Sequence, residues 1–214
     1  MSLRRIAKIN YLRFSAFEGS QHIASEFAIY KLLEVTKKFK RVSILEVGLG
    51  IGSISDTILT YKKSEDLYYV GTENNAFCLE SLKKNLNEKS YNTLRILSGI
   101  DKVFELRKKF DLAIIDGSDD NILSLANQLE SDAIIAIEGD RITQVNDLKK
   151  VFPKAKFVHS ISLRKNDPNG VGIPWHWQGG IKLLFLNPTN SQLVYCFTEK
   201  LKTKLINMYR KFLK

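Results

Sequence analysis

The chain has 214 residues, 44% apolar and 26% charged, the proportions of an ordinary globular protein able to bury one full core. Its formal net charge of +10 is concentrated at the ends: residues 1–14 contribute +4, residues 199–214 contribute +5, and everything between holds only +1. An enzyme that tracks phosphates surrounds its cleft with basic charge, so the nearly neutral middle argues against nucleic acid as the partner.

The first forty residues read as a basic segment and then a helix over 20–39, capped by Ser20, with Ile23, Phe27, Tyr30 and Leu33 as its apolar stripe. Strand and helix patterns then alternate. Strand-like runs fall near 42–47, 67–73, 93–98, 111–116, 132–137, 156–163 and 181–187. Helical patterns fall near 52–62, 75–89, 100–109, 120–130 and 143–151. Such alternation predicts a mostly parallel, doubly wound sheet with helices on both faces. From Gln192 onward, Val194, Phe197, Leu201, Leu205, Met208, Tyr209 and Phe212 recur at helical spacing among basic residues. This reads as a terminal helix docked on the body, its basic face turned to water, to a membrane surface or to an acidic partner. The chain therefore divides into 1–40, 41–190 and 191–214, all parts of a single domain. No apolar run approaches about 18 residues, and no secretory pattern opens the chain. A cytoplasmic protein with no membrane span is expected. Cys78 and Cys196 stand apart without metal-type spacing and read as reduced thiols.

The most telling stretch is Ile44-Leu45-Glu46-Val47-Gly48-Leu49-Gly50-Ile51-Gly52, a buried-strand pattern that runs into three alternating glycines. A strand that turns through glycines into a helix brings backbone N–H groups up to a ligand, where any Cβ would obstruct the approach. Glu46 lies inside the apolar strand and needs a partner there, for which a cationic or hydroxyl-bearing ligand is suited. The spacing is G-x-G-x-G after an acid, not the G-x-G-x-x-G of dinucleotide enzymes. Twenty-one residues past Gly52, Glu73 ends the second apolar run, at the strand tip where an acid accepts from ribose hydroxyls.

On these residues the chain resembles the class I S-adenosylmethionine-dependent methyltransferases over about residues 42–188. The resemblance implies a seven-stranded sheet whose last strand inserts antiparallel as a hairpin with the sixth. It implies that Glu46, Gly48, Gly50 and Gly52 wrap the methionine part of the cofactor and that Glu73 holds the ribose. Ser98 and Gly99 then lie by the adenine, where the family often has an acid or amide instead of Ser98. Asp116, after the fourth strand, lies beside the methyl group. The stretch also resembles metal-dependent catechol-type enzymes, which would give Mg²⁺ the set Asp116, Glu138 and Asp140. The amide of their acid–amide pair is missing and its acid is lengthened to Glu138, so a metal is not favoured.

All these positions fall at the carboxyl ends of strands, where doubly wound sheets bind ligands. A carboxylate at Asp116 would orient or deprotonate the acceptor, while Asp119 or Asp120 would cap the next helix. The hairpin would carry residues 164–180 to the same edge. That loop is long and holds Trp175-His176-Trp177, read as a substrate wall with His176 as a candidate base. His22 is a candidate for the cofactor's carboxylate side, and His159 reads as a satisfied strand residue. The resulting expectation is methyl transfer from S-adenosylmethionine to a small-molecule acceptor, at oxygen. Asp-Gly-Ser-Asp after the fourth strand replaces the Pro-Pro-aromatic run of amino-methylating nucleic-acid enzymes, and no Pro-Cys pair is present. The alternatives are an aminopropyltransferase, whose acidic loop Asp116-Gly117-Ser118-Asp119 resembles, and a non-catalytic cofactor-binding module docked through the basic tail.

Overall fold

Ile44, Leu45, Glu46 and Val47 are all buried, the mark of a strand covered on both sides. They belong to β1 (Ser43–Val47), which pairs in parallel with β2 (Tyr68–Thr72) and β4 (Phe110–Ile115). The computed structural model describes residues 1–62, 67–118 and 121–213. With β3 (Leu94–Leu97), β5 (Leu129–Glu138), β6 (Lys156–Ser160) and β7 (Ile181–Phe185) the sheet has seven strands in the order β3-β2-β1-β4-β5-β7-β6. Strands β1 to β5 pair in parallel, whereas β7 runs antiparallel to both β5 and β6. This is the doubly wound sheet with an antiparallel last strand that the sequence predicted. The order reverses between β1 and β4, which opens a crevice at their carboxyl ends.

Side chains alternate across the sheet. Ile44, Leu112, Ile114, Ile134 and Ala136 enter one core with α1 (Leu3–Ser15), α2 (Glu26–Lys38), α3 (Ser53–Tyr61), α4 (Ala76–Asn85) and the inner side of α8 (Asn190–Phe212). Leu45, Ala113, Ile115, Ile135 and Ile137 enter the other, covered by α6 (Ile100–Val103) and α7 (Ile142–Val151). The short α5 (Glu88–Thr93) precedes β3. No helix of the described residues is long and apolar enough to cross a membrane.

Four local expectations change. The basic N-terminal segment is a helix, α1, because Ala7, Asn10, Tyr11 and Phe14 fall on one side and are buried. Ser25, not Ser20, caps α2, its hydroxyl accepting from the Ala28 N–H at 3.1 Å; residues 20–22 form a separate 3-10 turn. The helix expected over 75–89 breaks at Leu86, since Asn87 starts α5 by accepting from the Ser90 N–H at 2.9 Å. The helix expected over 120–130 is a 3-10 turn, Ile122–Gln128, and β5 begins at Leu129, three residues early. The capping roles expected of Asp119 and Asp120 lie outside the described residues.

Candidate active site

The glycine turn is built against its neighbours. Gly48 has φ +85° and lies so close to the turn after β4 that a Cβ there would stand 2.6 Å from the Cα of Gly117. Any side chain at 48 would push β1 and β4 apart. Gly50 also sits in the left-handed region, at φ +53°, but a Cβ there would meet nothing within 4 Å. Its open side faces the crevice. Gly52, at φ +96°, leads directly into α3.

Glu73 locks this turn. One carboxylate oxygen accepts from the Gly50 N–H at 2.8 Å, and the other accepts from the N–H groups of Asn74 and Asn75, both at 2.9 Å. A carboxylate has about four acceptor positions, so one remains on the Gly50 side. Glu46 is the opposite case. It is fully buried, one oxygen accepts from the Tyr69 hydroxyl, and the other has no hydrogen-bond partner among the described residues. Burial pushes its carboxyl up to about 8, with the nearby charge of Glu73 adding to the effect against the Tyr69 hydrogen bond.

A third acidic feature was not anticipated as a unit. The parallel register sets Ile115 opposite Ile137, so the next residues, Asp116 and Glu138, emerge side by side. Alternation turns both to the same face of the sheet as Glu46. The two carboxyl groups act on each other directly, Glu138 raising the proton affinity of Asp116. Burial, then the charge of Glu138, raises Asp116 well above the usual carboxylate range. Burial raises Glu138 as well, opposed by a hydrogen bond from the Ser25 N–H at the start of α2. The Arg141 guanidinium stands beside the pair, but its donors go to the backbone oxygens of Asp116, Gly117 and Glu138.

The acid set Asp116, Glu138 and Asp140 is not brought together on one ligand. Asp140 is exposed, and among the described residues no group of three or more His, Cys, Asp or Glu is placed to hold one. Among the described residues no further carboxylate, imidazole or thiolate joins Asp116 and Glu138.

Two cavities meet over the glycine turn. One, of about 250 Å³, is bordered by Gly48, Gly50, Glu73, Ser98, Gly99 and Asp116, so six of the residues singled out in the sequence converge there. The other, of about 170 Å³, is walled by Ile23, Leu49, Ile51, Phe77 and Cys78. Gly50, His22 and Asp116 border both. Glu46 lies behind this floor and lines neither. Sequence reading singled out His22 but missed its neighbours Gly19, Gln21 and Ile23, together with Phe77 and Arg141, as site residues.

The loop of residues 164–180 does not join this convergence. Trp175 and His176 are exposed, and Trp177 lies between Lys165 and Arg210, whose charged groups stand 4.2 and 4.9 Å from its ring. None of the three borders either cavity. The loop is instead tied to α1 and α2, through Lys8 to Asp167 at 2.7 Å, the Tyr11 hydroxyl to the Val171 carbonyl at 2.8 Å, and Gln178 to Glu26 at 3.3 Å. Its link toward the site runs through Ser25, whose hydroxyl donates to the Gly179 carbonyl at 3.0 Å. His159, exposed on β6, lies by Lys182 and Arg210, and partial desolvation with these charges lowers its proton affinity.

Strand order, antiparallel hairpin and glycine–acid crevice together define the fold of the class I S-adenosylmethionine-dependent methyltransferases. Solved structures agree. The O-methyltransferase TomG of Streptomyces achromogenes, in complex with S-adenosylmethionine, superposes with a TM-score of 0.62 at 13% identity over 85% of this chain and 89% of its own. An O-methyltransferase of Bacillus cereus in complex with S-adenosylhomocysteine gives 0.58 at 14% identity over 86% and 90%. The S-adenosylhomocysteine-bound methyltransferase PaMTH1 of Podospora anserina gives 0.54 at 13% over 86% and 87%. No family model and no curated protein matches the sequence.

Proposed function

We propose that this protein transfers the methyl group of S-adenosylmethionine to an oxygen of a small-molecule acceptor. The observation that carries the reading is the rim itself: an open, left-handed Gly50 with its N–H on Glu73, and Asp116 across the same cavity. In this reading Gly48, Gly50 and Gly52 admit the methionyl part, and the free acceptor position of Glu73 takes the ribose. Ser98 and Gly99 border the adenine. The unpaired oxygen of Glu46 makes the floor receptive to the ligand's positive charge. When bound, the cofactor supplies an electrophilic sulfonium methyl.

The protein's own task is then alignment and proton removal. The second cavity, with Ile23, Leu49, Ile51 and Phe77 in its wall, suits an apolar acceptor that meets Asp116 and His22 at its polar end. A carboxyl with raised proton affinity is matched to receiving a hydroxyl proton near neutral pH. Oxygen as the acceptor atom is further supported by the fold neighbours described as O-methyltransferases.

Calorimetric titration with S-adenosylhomocysteine and with NAD tests the cofactor assignment. Binding of the first and none of the second is expected. Binding of NAD with no response to S-adenosylhomocysteine overturns it.

A further inference from the structure

Helix α8 is fixed by one side and unpartnered on the other. Gln192, Tyr195, Cys196 and Glu199 are buried against the body. Glu199 pairs with buried Lys31 at 2.8 Å and accepts from the Ser160 hydroxyl at 2.8 Å, while the Tyr195 hydroxyl donates to Glu34 at 2.7 Å. Near the far end, Arg210 packs on Trp177 and donates to the Ser162 carbonyl. The helix therefore cannot roll, and its opposite side is held toward solvent.

That side carries Val194, Phe197, Leu201, Leu205, Met208 and Phe212, spaced three or four residues apart and 47–83% exposed. At 1.5 Å per residue the stripe runs about 27 Å. Isolated exposed apolar residues need no explanation, but a continuous stripe marks a contact surface. Lys200, Lys202, Lys204 and Lys211 accompany it, all exposed. The single acid of the helix, Glu199, is turned inward. Exposed Arg4 of α1 adds its charge beside Lys202. At the C-terminal end the 164–180 loop holds Trp175 in solvent, two residues from the tryptophan packed under Arg210.

We propose that the outer face of α8 docks on an anionic lipid surface. Charge complementarity selects this occupant. A second copy of the chain would bring lysines against lysines with no acid to meet them. A bilayer interface takes a convex helical ridge without a matching groove, burying the apolar stripe while lysine stems carry their ammonium groups out to the phosphates. An exposed tryptophan at the helix end suits the headgroup zone.

Co-sedimentation of the full chain with vesicles tests this. Binding is expected to vesicles of phosphatidylcholine mixed with phosphatidylserine, to weaken as salt rises, and to be absent with phosphatidylcholine alone. The solvent-facing triple substitution Phe197→Ser, Leu205→Ser, Phe212→Ser should weaken binding at least about tenfold with an unchanged melting temperature. The triple substitution Lys200→Glu, Lys204→Glu, Lys211→Glu should do the same without touching the stripe. Failure of the wild-type chain to bind anionic vesicles overturns the proposal, as does equal binding by both variants. A wild-type dimer in light scattering that the serine variant dissociates, with no vesicle binding by either, assigns the face to a second copy and also overturns it.

Discussion

Glu73 and Asp116 border the same crevice, yet Glu73 and the Asp116–Glu138 pair are built in opposite ways. Glu73 accepts from three backbone N–H groups, so it is tied to the chain around it. Asp116 and Glu138 stand against each other, and burial raises the proton affinity of both. The contrast separates two jobs at strand ends that look alike in sequence. A carboxylate held by backbone N–H groups shapes a turn and keeps one acceptor position for a ligand, whereas an under-supplied pair is poised to gain and lose a proton.

Substitution at each acid is the way to break this contrast. The largest effect is expected for Asp116→Asn, which keeps the shape and removes the basic site. Turnover should fall about 10²–10⁴-fold, the range of a general base, while S-adenosylhomocysteine affinity in calorimetry changes little. Wild-type turnover in this variant would remove Asp116 from the proton path. Glu73→Ala should act the other way round, weakening the cofactor by about 1–3 kcal/mol through lost hydrogen bonds to a charged group. If melting temperature collapses while affinity per folded molecule is retained, Glu73 serves only the turn.

Glu46→Gln sharpens the same comparison through stability. The folded carboxyl is raised from 4.5 to about 8, so the native state holds this proton more tightly than the unfolded chain does. The wild-type protein therefore loses stability as pH rises from about 4.5 to about 8, with no further change beyond from this group. Gln cannot ionise, so the variant should gain on the wild type across that window, measured as denaturant midpoints at several pH values. A constant difference would show that Glu46 does not titrate there.

Smaller effects are expected away from the acids. Trp175→Ala combined with Trp177→Ala should leave cofactor affinity within about 1 kcal/mol, the scale of an ordinary surface change, and should leave turnover near wild type. A sharp fall in turnover would return the 164–180 loop to the acceptor pocket. EDTA should leave the rate unchanged, because Asp116 and Glu138 have no third ligand among the described residues. Loss of activity restored by Mg²⁺ would make Asp116 a metal ligand instead of the proton acceptor.

The sequence by itself determined the alternation of strands and helices, the glycine turn after β1 and the acid at the tip of β2. These are local patterns: periodic burial, backbone conformations that favour glycine, and a fixed distance along one β-α-β unit. Even there it hid α1 behind its basic charge, although Leu3, Ile6, Ala7, Tyr11 and Phe14 carry a helical apolar spacing. Tertiary structure alone decided which distant acids meet and which residues face solvent. Asp116 and Glu138 meet because β4 and β5 pair in a register that sets Ile115 on Ile137. The tryptophans miss the crevice because Lys8, Tyr11 and Glu26 hold their loop on α1 and α2. Neither fact has a local signature, since each depends on contacts between segments far apart in the chain.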